Sequence, residues 1–222
     1  VELCLSVEQH NGVTTFFSLA IDALSARNRL NRNSKDDNGD FKAMRKLNIG
    51  LTEEQRQGVI ELLNRDLSDA YLLLIKTKKY HWDVVGPQFR SLHELWEEQY
   101  QTLTETIDSL AERVRTLGGY PVGTASGFLQ MASIKEDEGR VPTATDMVAN
   151  LVNDHEQVIR NLRQHVDQCS DEFHDEGTAD FLTGLMEGHE EMAWMLRSFI
   201  EGEALAADGS NINQQIKTPV GV

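Results

Sequence analysis

The sequence predicts an all-α protein: a bundle of four long helices, with a short extra helix in the crossover between the second and third. Three observations predict it. Apolar residues recur at helical spacing over four separate stretches. Only four prolines and few β-branched runs interrupt them. The connection from about Tyr120 to Val141 is too long for a simple hairpin between bundle helices.

Taken in order, the first helix is expected from the capping box Thr52-Glu53-Glu54-Gln55 to about His81. Leu62, Leu63, Leu67, Ala70, Leu73 and Leu74 form its buried side. Gly86-Pro87 breaks the pattern, and the second helix starts near Pro87, since proline is tolerated in a first turn. It runs to about Leu117, where Gly118-Gly119 supplies a stop. Its apolar stripe is Phe89, Leu92, Trp96, Leu103, Ile107, Leu110 and Val114. The crossover holds Pro, Gly and small residues around a short apolar segment, Phe128 to Ala132.

The third helix is expected from near Thr143 to about Cys169, with Val148, Leu151, Val152, His155, Val158, Ile159 and Leu162 on its core face. The fourth runs from about Thr178 to Glu201, carrying Phe181, Leu182, Leu185, His189, Met192, Leu196 and Phe199. His155 and His189 fall on these apolar stripes and read as hydrogen-bonded core histidines.

At 222 residues, one domain with extensions is expected. Residues 1–50 read as a flexible N-terminal extension, 51–202 as the bundle, and 203–222 as a tail. Met44 looks like a native start, which would make the preceding residues an upstream extension, an alternative start or foreign sequence. Within them, Phe16 to Leu24 has the pattern of a short amphipathic helix and Asn31 to Asp40 that of a polar linker. Cys4 and Cys169 form no CxxC pattern and no disulfide framework, which points to a reducing cytoplasm. No apolar run is long enough to span a membrane. A net charge of −15 opposes polyanion binding by the bundle and favours attraction of cations.

Two histidines and three carboxylates stand out in the first two helices. His93, Glu97, Asp108 and Glu112 share one arc of the second helix, about a third of a turn from its apolar stripe. They therefore point away from the interior of a bundle built by this chain. His93 and Asp108 are separated by fifteen residues, roughly 22 Å along the helix axis. An ion with ligand distances of about 2.0–2.2 Å cannot take ligands from both ends. Two copies packed antiparallel about a two-fold axis solve this: His93 and Glu97 of one meet Asp108 and Glu112 of the other, twice over. The short turn after Asp83 returns His81 to the side of His93. Imidazoles with carboxylates suit Fe(II), with Zn(II) or Mn(II) as competitors. No Glu-x-x-His occurs, which argues against a di-iron site inside the bundle. Asp175, Glu176 and Asp180 open the last helix and read either as the lining of an iron-access pore or as an acidic surface turn.

The segment from Lys78 to Glu94, K-x-x-H-W-x-V-x-G-x-x-F-x-x-L-H-E, followed by D-S-L-A-E-R from Asp108, resembles the Dps family of mini-ferritins (DNA-binding proteins from starved cells). Leu117-Gly118-Gly119, Gly177-Thr178-Ala179-Asp180 and Trp194-Met195-Leu196-Arg197 extend the resemblance, which covers roughly Leu51 to Gly202. It implies a ferritin-like four-helix subunit assembled as a hollow dodecamer, with ferroxidase centres at two-fold interfaces. Carried across, His81, His93 and Glu97 come from one subunit and Asp108 and Glu112 from its neighbour. Glu97 stands where many members have Asp. Lys78 and Trp82 would lie beside the metal ligands, the tryptophan intercepting radicals. The implied function is ferroxidation of Fe(II) by hydrogen peroxide, or less efficiently dioxygen, with storage of the mineral and protection from oxidative stress.

Some members hold DNA with a basic N-terminal tail, and Arg27 to Lys46 is locally basic here. A nucleoid-associated DNA-binding protein is thus the alternative function, although a soluble linker is the favoured reading of that stretch. A purely structural helical oligomer is the third.

Overall fold

A computed structural model describes residues 47–139 and 141–201, and its described residues are helical throughout, with turns between helices. The helices are α1 (Glu53–Asp83), α2 (Phe89–Thr116), the short α3 (Ala125–Met131), α4 (Ala144–Asp167) and α5 (Glu176–Arg197), with a π-helical turn at Gln168–Glu172. The amphipathic segment near Phe16, the polar linker, the basic Arg27–Lys46 stretch and the tail from Gly202 lie outside the described residues.

Each end is set by local chemistry. Thr52 caps α1 by accepting from the Gln55 amide at 3.2 Å, and the Gln55 side chain accepts from the Thr52 amide at 2.8 Å. At the end of α2 the Gly119 amide reaches back to the Val114 carbonyl and the Gly118 amide to that of Arg115, both at 3.0 Å. This is a Schellman closure, and it puts Gly118 at φ 85°, a value glycine adopts without strain. Thr143 caps α4, donating its hydroxyl to Asp146 and accepting from the Asp146 amide. Pro87 sits in the turn before α2 rather than inside its first turn, and Gln88 is the uncapped flanking residue. The crossover helix begins at Ala125, three residues before the expected apolar segment, with Thr124 as its cap.

The bundle is two helix pairs. α1 packs along α2, α4 packs along α5, and α1 also meets α4 and α3. The expected stripes fill the interior: Leu63, Leu67, Leu73, Leu92, Trp96, Leu103, Leu110, Leu151 and Leu162 are essentially inaccessible. Phe89 departs from its stripe and is 46% exposed, at the first residue of α2 with its ring stacked on His93.

Buried polar groups tie the crossover to the bundle. Asp69 of α1 is buried, and its carboxylate accepts from the amides of Ser133 and Ile134, the Ser133 hydroxyl and the Asn161 side chain. Tyr80 is fully buried, donates to Asp137 at 2.8 Å and accepts from Asn150 at 3.0 Å. Burial pushes its phenol up. Lys76 pairs with Asp154 across α1 and α4, and Asp66 accepts from His165 at 2.8 Å between the same two helices. Each such group would cost a few kcal/mol if left unpaired, so together they fix how the crossover and α4 lie against α1.

His155 and His189 are core histidines, as their stripe positions imply. Their Nδ1 atoms lie 3.0 Å apart, so one ring donates to the other. Burial holds both well below the usual imidazole range, His189 down to about 4. Both rings bind protons more readily unfolded than folded. Their contribution to stability is therefore complete above the unfolded value of about 6.5 and is lost as pH falls toward about 4. Thermal melts from pH 7 to 4.5 should show the melting temperature falling through this window. A His155→Leu, His189→Leu variant should fall less steeply, and an equal slope in the two proteins would show that the pair does not control it.

Candidate metal centre

The site starts at the reversal between α1 and α2. α1 ends with the Val84 amide bonded to the Tyr80 carbonyl at 3.0 Å, and the chain turns through Gly86 at φ 113°. No L side chain adopts that value without strain. The Phe89 amide then closes onto the Gly86 carbonyl at 3.0 Å and α2 begins. The reversal sets the last full turn of α1 against the first turns of α2.

His81 and His93 meet there. His81 Nδ1 is 2.8 Å from the His93 carbonyl oxygen, and His93 Nδ1 is 2.8 Å from the His81 carbonyl oxygen. A carbonyl can only accept, so each Nδ1 carries its hydrogen and donates. In the neutral rings both Nε2 atoms then keep their lone pairs, the form that ligates a metal. The rings stack at 3.7 Å with 16° between their planes. Phe89 stacks on His93 at 5.1 Å, and Tyr100 meets His81 edge-on at 5.2 Å. His81 is buried and His93 half-buried.

Glu97 lies one turn past His93, half-buried, with its Oε1 accepting from the Tyr100 hydroxyl at 3.2 Å. The neighbouring Lys78 Nζ sits 4.8 Å from the Tyr100 ring centroid. Trp82 does not pack into the core but is 71% exposed. Asp108 and Glu112 are exposed farther along α2 and make no hydrogen bond or ion pair among the described residues. Among those residues, no three His, Cys, Asp or Glu side chains gather around a point that could hold an ion. The chain thus brings His81, His93 and Glu97 into one neighbourhood and leaves Asp108 and Glu112 apart, as the helical rise requires.

The acidic start of the last helix divides in two. Asp175 is buried, accepts from the Thr178 amide and hydroxyl, and pairs with Arg113 at 3.2 Å. Its carboxylate is the cap of this helix rather than part of an open acidic surface turn. Glu176 and Asp180 are exposed, Glu176 accepting from Ser170. Cys169 offers no thiolate: burial pushes it up to about 12. Sequence reasoning missed Tyr100, whose only signal was its position one helical turn after Glu97.

The chain matches the ferritin-like domain family over residues 60–205. It is 72% identical over 179 residues to a low temperature-induced protein of Nostoc sp. (strain PCC 7120), a match covering 81% of this chain and 100% of that one. It is 42% identical over 146 residues to the DNA protection during starvation protein of Brevibacillus brevis, covering 66% of this chain and 97% of that one. The crystal structure of a Dps protein from Vibrio cholerae O1, described as a member of a broad superfamily of ferritin-like diiron-carboxylate proteins, superposes with a TM-score of 0.65 at 32% identity, covering 71% of this chain and 98% of that one.

The reversal is open to a direct test. Nothing lies within 4 Å of a Cβ built on Gly86, so Gly86→Ala adds backbone strain without a clash. That strain should cost roughly 1–3 kcal/mol. Chemical denaturation should register the loss, and Zn(II) titration should show weakened binding as the imidazoles lose registration. Unchanged stability would contradict this account of the turn.

Proposed function

The chain belongs to the Dps family of ferritin-like proteins, and on that premise we propose that it is an iron-sequestering mini-ferritin that oxidises Fe(II) at centres shared between subunits. The observation that carries the proposal is the reciprocal histidine lock. It frees two Nε2 atoms in ligand form on the arm of the chain that also holds Glu97. A second copy, antiparallel about a two-fold axis, brings Asp108 and Glu112 to that arm and supplies the missing anionic ligands. Trp82, Val85 and Phe89, exposed around the reversal, give such an interface its apolar contacts. Twelve copies in a closed shell would provide the enclosed volume for the mineral.

The stacked rings bear on how many ions are held. The two rings stack face to face with their centroids 3.7 Å apart, so their in-plane Nε2 lone pairs do not converge on one point between them. A metal–imidazole bond is only about 2.0–2.1 Å long and prefers the ring plane. The two imidazoles therefore serve two ions. Carboxylates favour the harder Fe(III) over Fe(II), so Glu97, Asp108 and Glu112 assist the oxidation as well as the binding. Two Fe(II) together supply the two electrons that reduce one hydrogen peroxide, with two protons, to two waters. Dioxygen is the slower oxidant. Lys78 and Trp82 flank the ligands, with Trp82 exposed where it can intercept a stray radical. Asp175, Glu176 and Asp180 at the start of the last helix are the acids proposed to line an iron-access pore. Zn(II) competes for the same donors. Protection of DNA follows here from removing Fe(II) and peroxide together, since the net charge of −15 opposes a direct grip on phosphates. The proposed setting is the cytoplasm, and no helix among the described residues is long and apolar enough to cross a membrane.

Stopped-flow Fe(II) oxidation tests this reading, under anaerobic peroxide and separately under oxygen. Wild type should oxidise Fe(II) faster with peroxide. An Asp108→Ala, Glu112→Ala variant should slow by roughly a hundredfold, the scale seen when groups that tune a metal centre are removed. Wild-type rates in that variant would remove the enzyme reading.

A further inference from the structure

Tyr100 touches three residues of the metal arm at once. Its hydroxyl lies 3.2 Å from Glu97 Oε1, its ring meets His81 edge-on at 84°, and the Lys78 ammonium sits over its face. The phenol is the donor in the first contact, because an ionised carboxylate only accepts. The ring is braced on two sides by α1, while the hydroxyl reaches back along α2 to a carboxylate one turn earlier.

We propose that Tyr100 is a positioning residue for Glu97: it occupies Oε1 and leaves Oε2 as the atom offered to the cation. The inference rests on the assignment of Glu97 to the metal centre. Glutamate carries one more torsion than aspartate, and on a half-buried helix face its carboxylate can swing or chelate with both oxygens. The phenol removes both freedoms. It fixes the side chain in one orientation before metal arrives and limits Glu97 to one bond with the ion. A ligand held to one oxygen leaves a coordination position open, and an oxidant needs such a position to reach the metal. An aspartate at 97 would be too short to reach the hydroxyl, so Glu97 and Tyr100 act as a matched pair.

Tyr100→Phe keeps the ring, its packing on His81 and its place under Lys78, and removes only the hydroxyl. Cobalt(II) is the probe, because air does not oxidise it and its visible bands report coordination number. Calorimetry on the assembled variant should show cobalt binding weakened roughly three- to tenfold, the range expected for one lost hydrogen bond. The visible bands should weaken as Glu97 chelates and the coordination number rises. In a Glu97→Asp background the same Tyr100→Phe change should alter neither affinity nor spectrum, a coupling that general loss of packing would not produce. Unchanged affinity and spectrum in Tyr100→Phe would overturn the inference if a His81→Ala, His93→Ala variant still abolished cobalt binding. Wild-type cobalt binding in that double variant would instead overturn the metal centre itself, and the role of Tyr100 with it.

Discussion

An α-helix is a stiff rod that rises about 1.5 Å per residue, and that constraint governs the chemistry of this protein. α2 carries imidazole and carboxylate donors at one end and two further acids at the other. The rod keeps the groups apart, and no folding of the single chain can bring them together. On the proposed reading the donor set is completed between chains, by an antiparallel neighbour that reverses the order of the ends. The reversal at Gly86 matters for the same reason: it adds His81 from α1 to the imidazole end and leaves the acid end to be shared.

The lock at that reversal does two things with one pair of hydrogen bonds. It satisfies the His81 carbonyl, one of the last four in α1 and so without an intrahelical donor, and adds a second donor to the His93 carbonyl near the start of α2. It also sets the tautomer of both neutral rings, so Nε2 is the nitrogen left free to ligate. Farther along the bundle the buried polar contacts serve packing alone. Asp69, Tyr80 and Lys76 hold the crossover and α4 against α1 and take no part in the metal arm.

Periodicity was enough to read the four helices, because each buries one stripe and each boundary carries a local signal: the Thr52 capping box, the Gly118-Gly119 closure and the Thr143 cap. The same reasoning placed His155 and His189 in the core, where they pair. It failed where the decisive partner is distant or absent. Wheel angle put Phe89 on the core face but could not show that the first residue of α2 stays half exposed. Asp175 looked like a free acid because the last helix was expected to begin at Thr178. With the start at Glu176, the Asp175 and Thr178 pair is a cap. The ties from Asp69 to the crossover and the reciprocal histidine bonds depend on turn geometry that no hydropathy pattern encodes.

The central claim is that each centre draws on two chains, and coexpressing two inactive variants tests it most directly. One lacks the imidazoles (His81→Ala, His93→Ala) and the other the distal acids (Asp108→Ala, Glu112→Ala). In a mixed two-fold pair, one centre inherits both defects and the other inherits neither. Random mixing makes half of the pairs mixed, so the coassembled protein should recover about a quarter of wild-type Fe(II) oxidation. Recovery to that level, with neither variant active alone, is the predicted result. Mixed shells as inactive as their parents would contradict the account, because centres contained within single chains cannot complement one another.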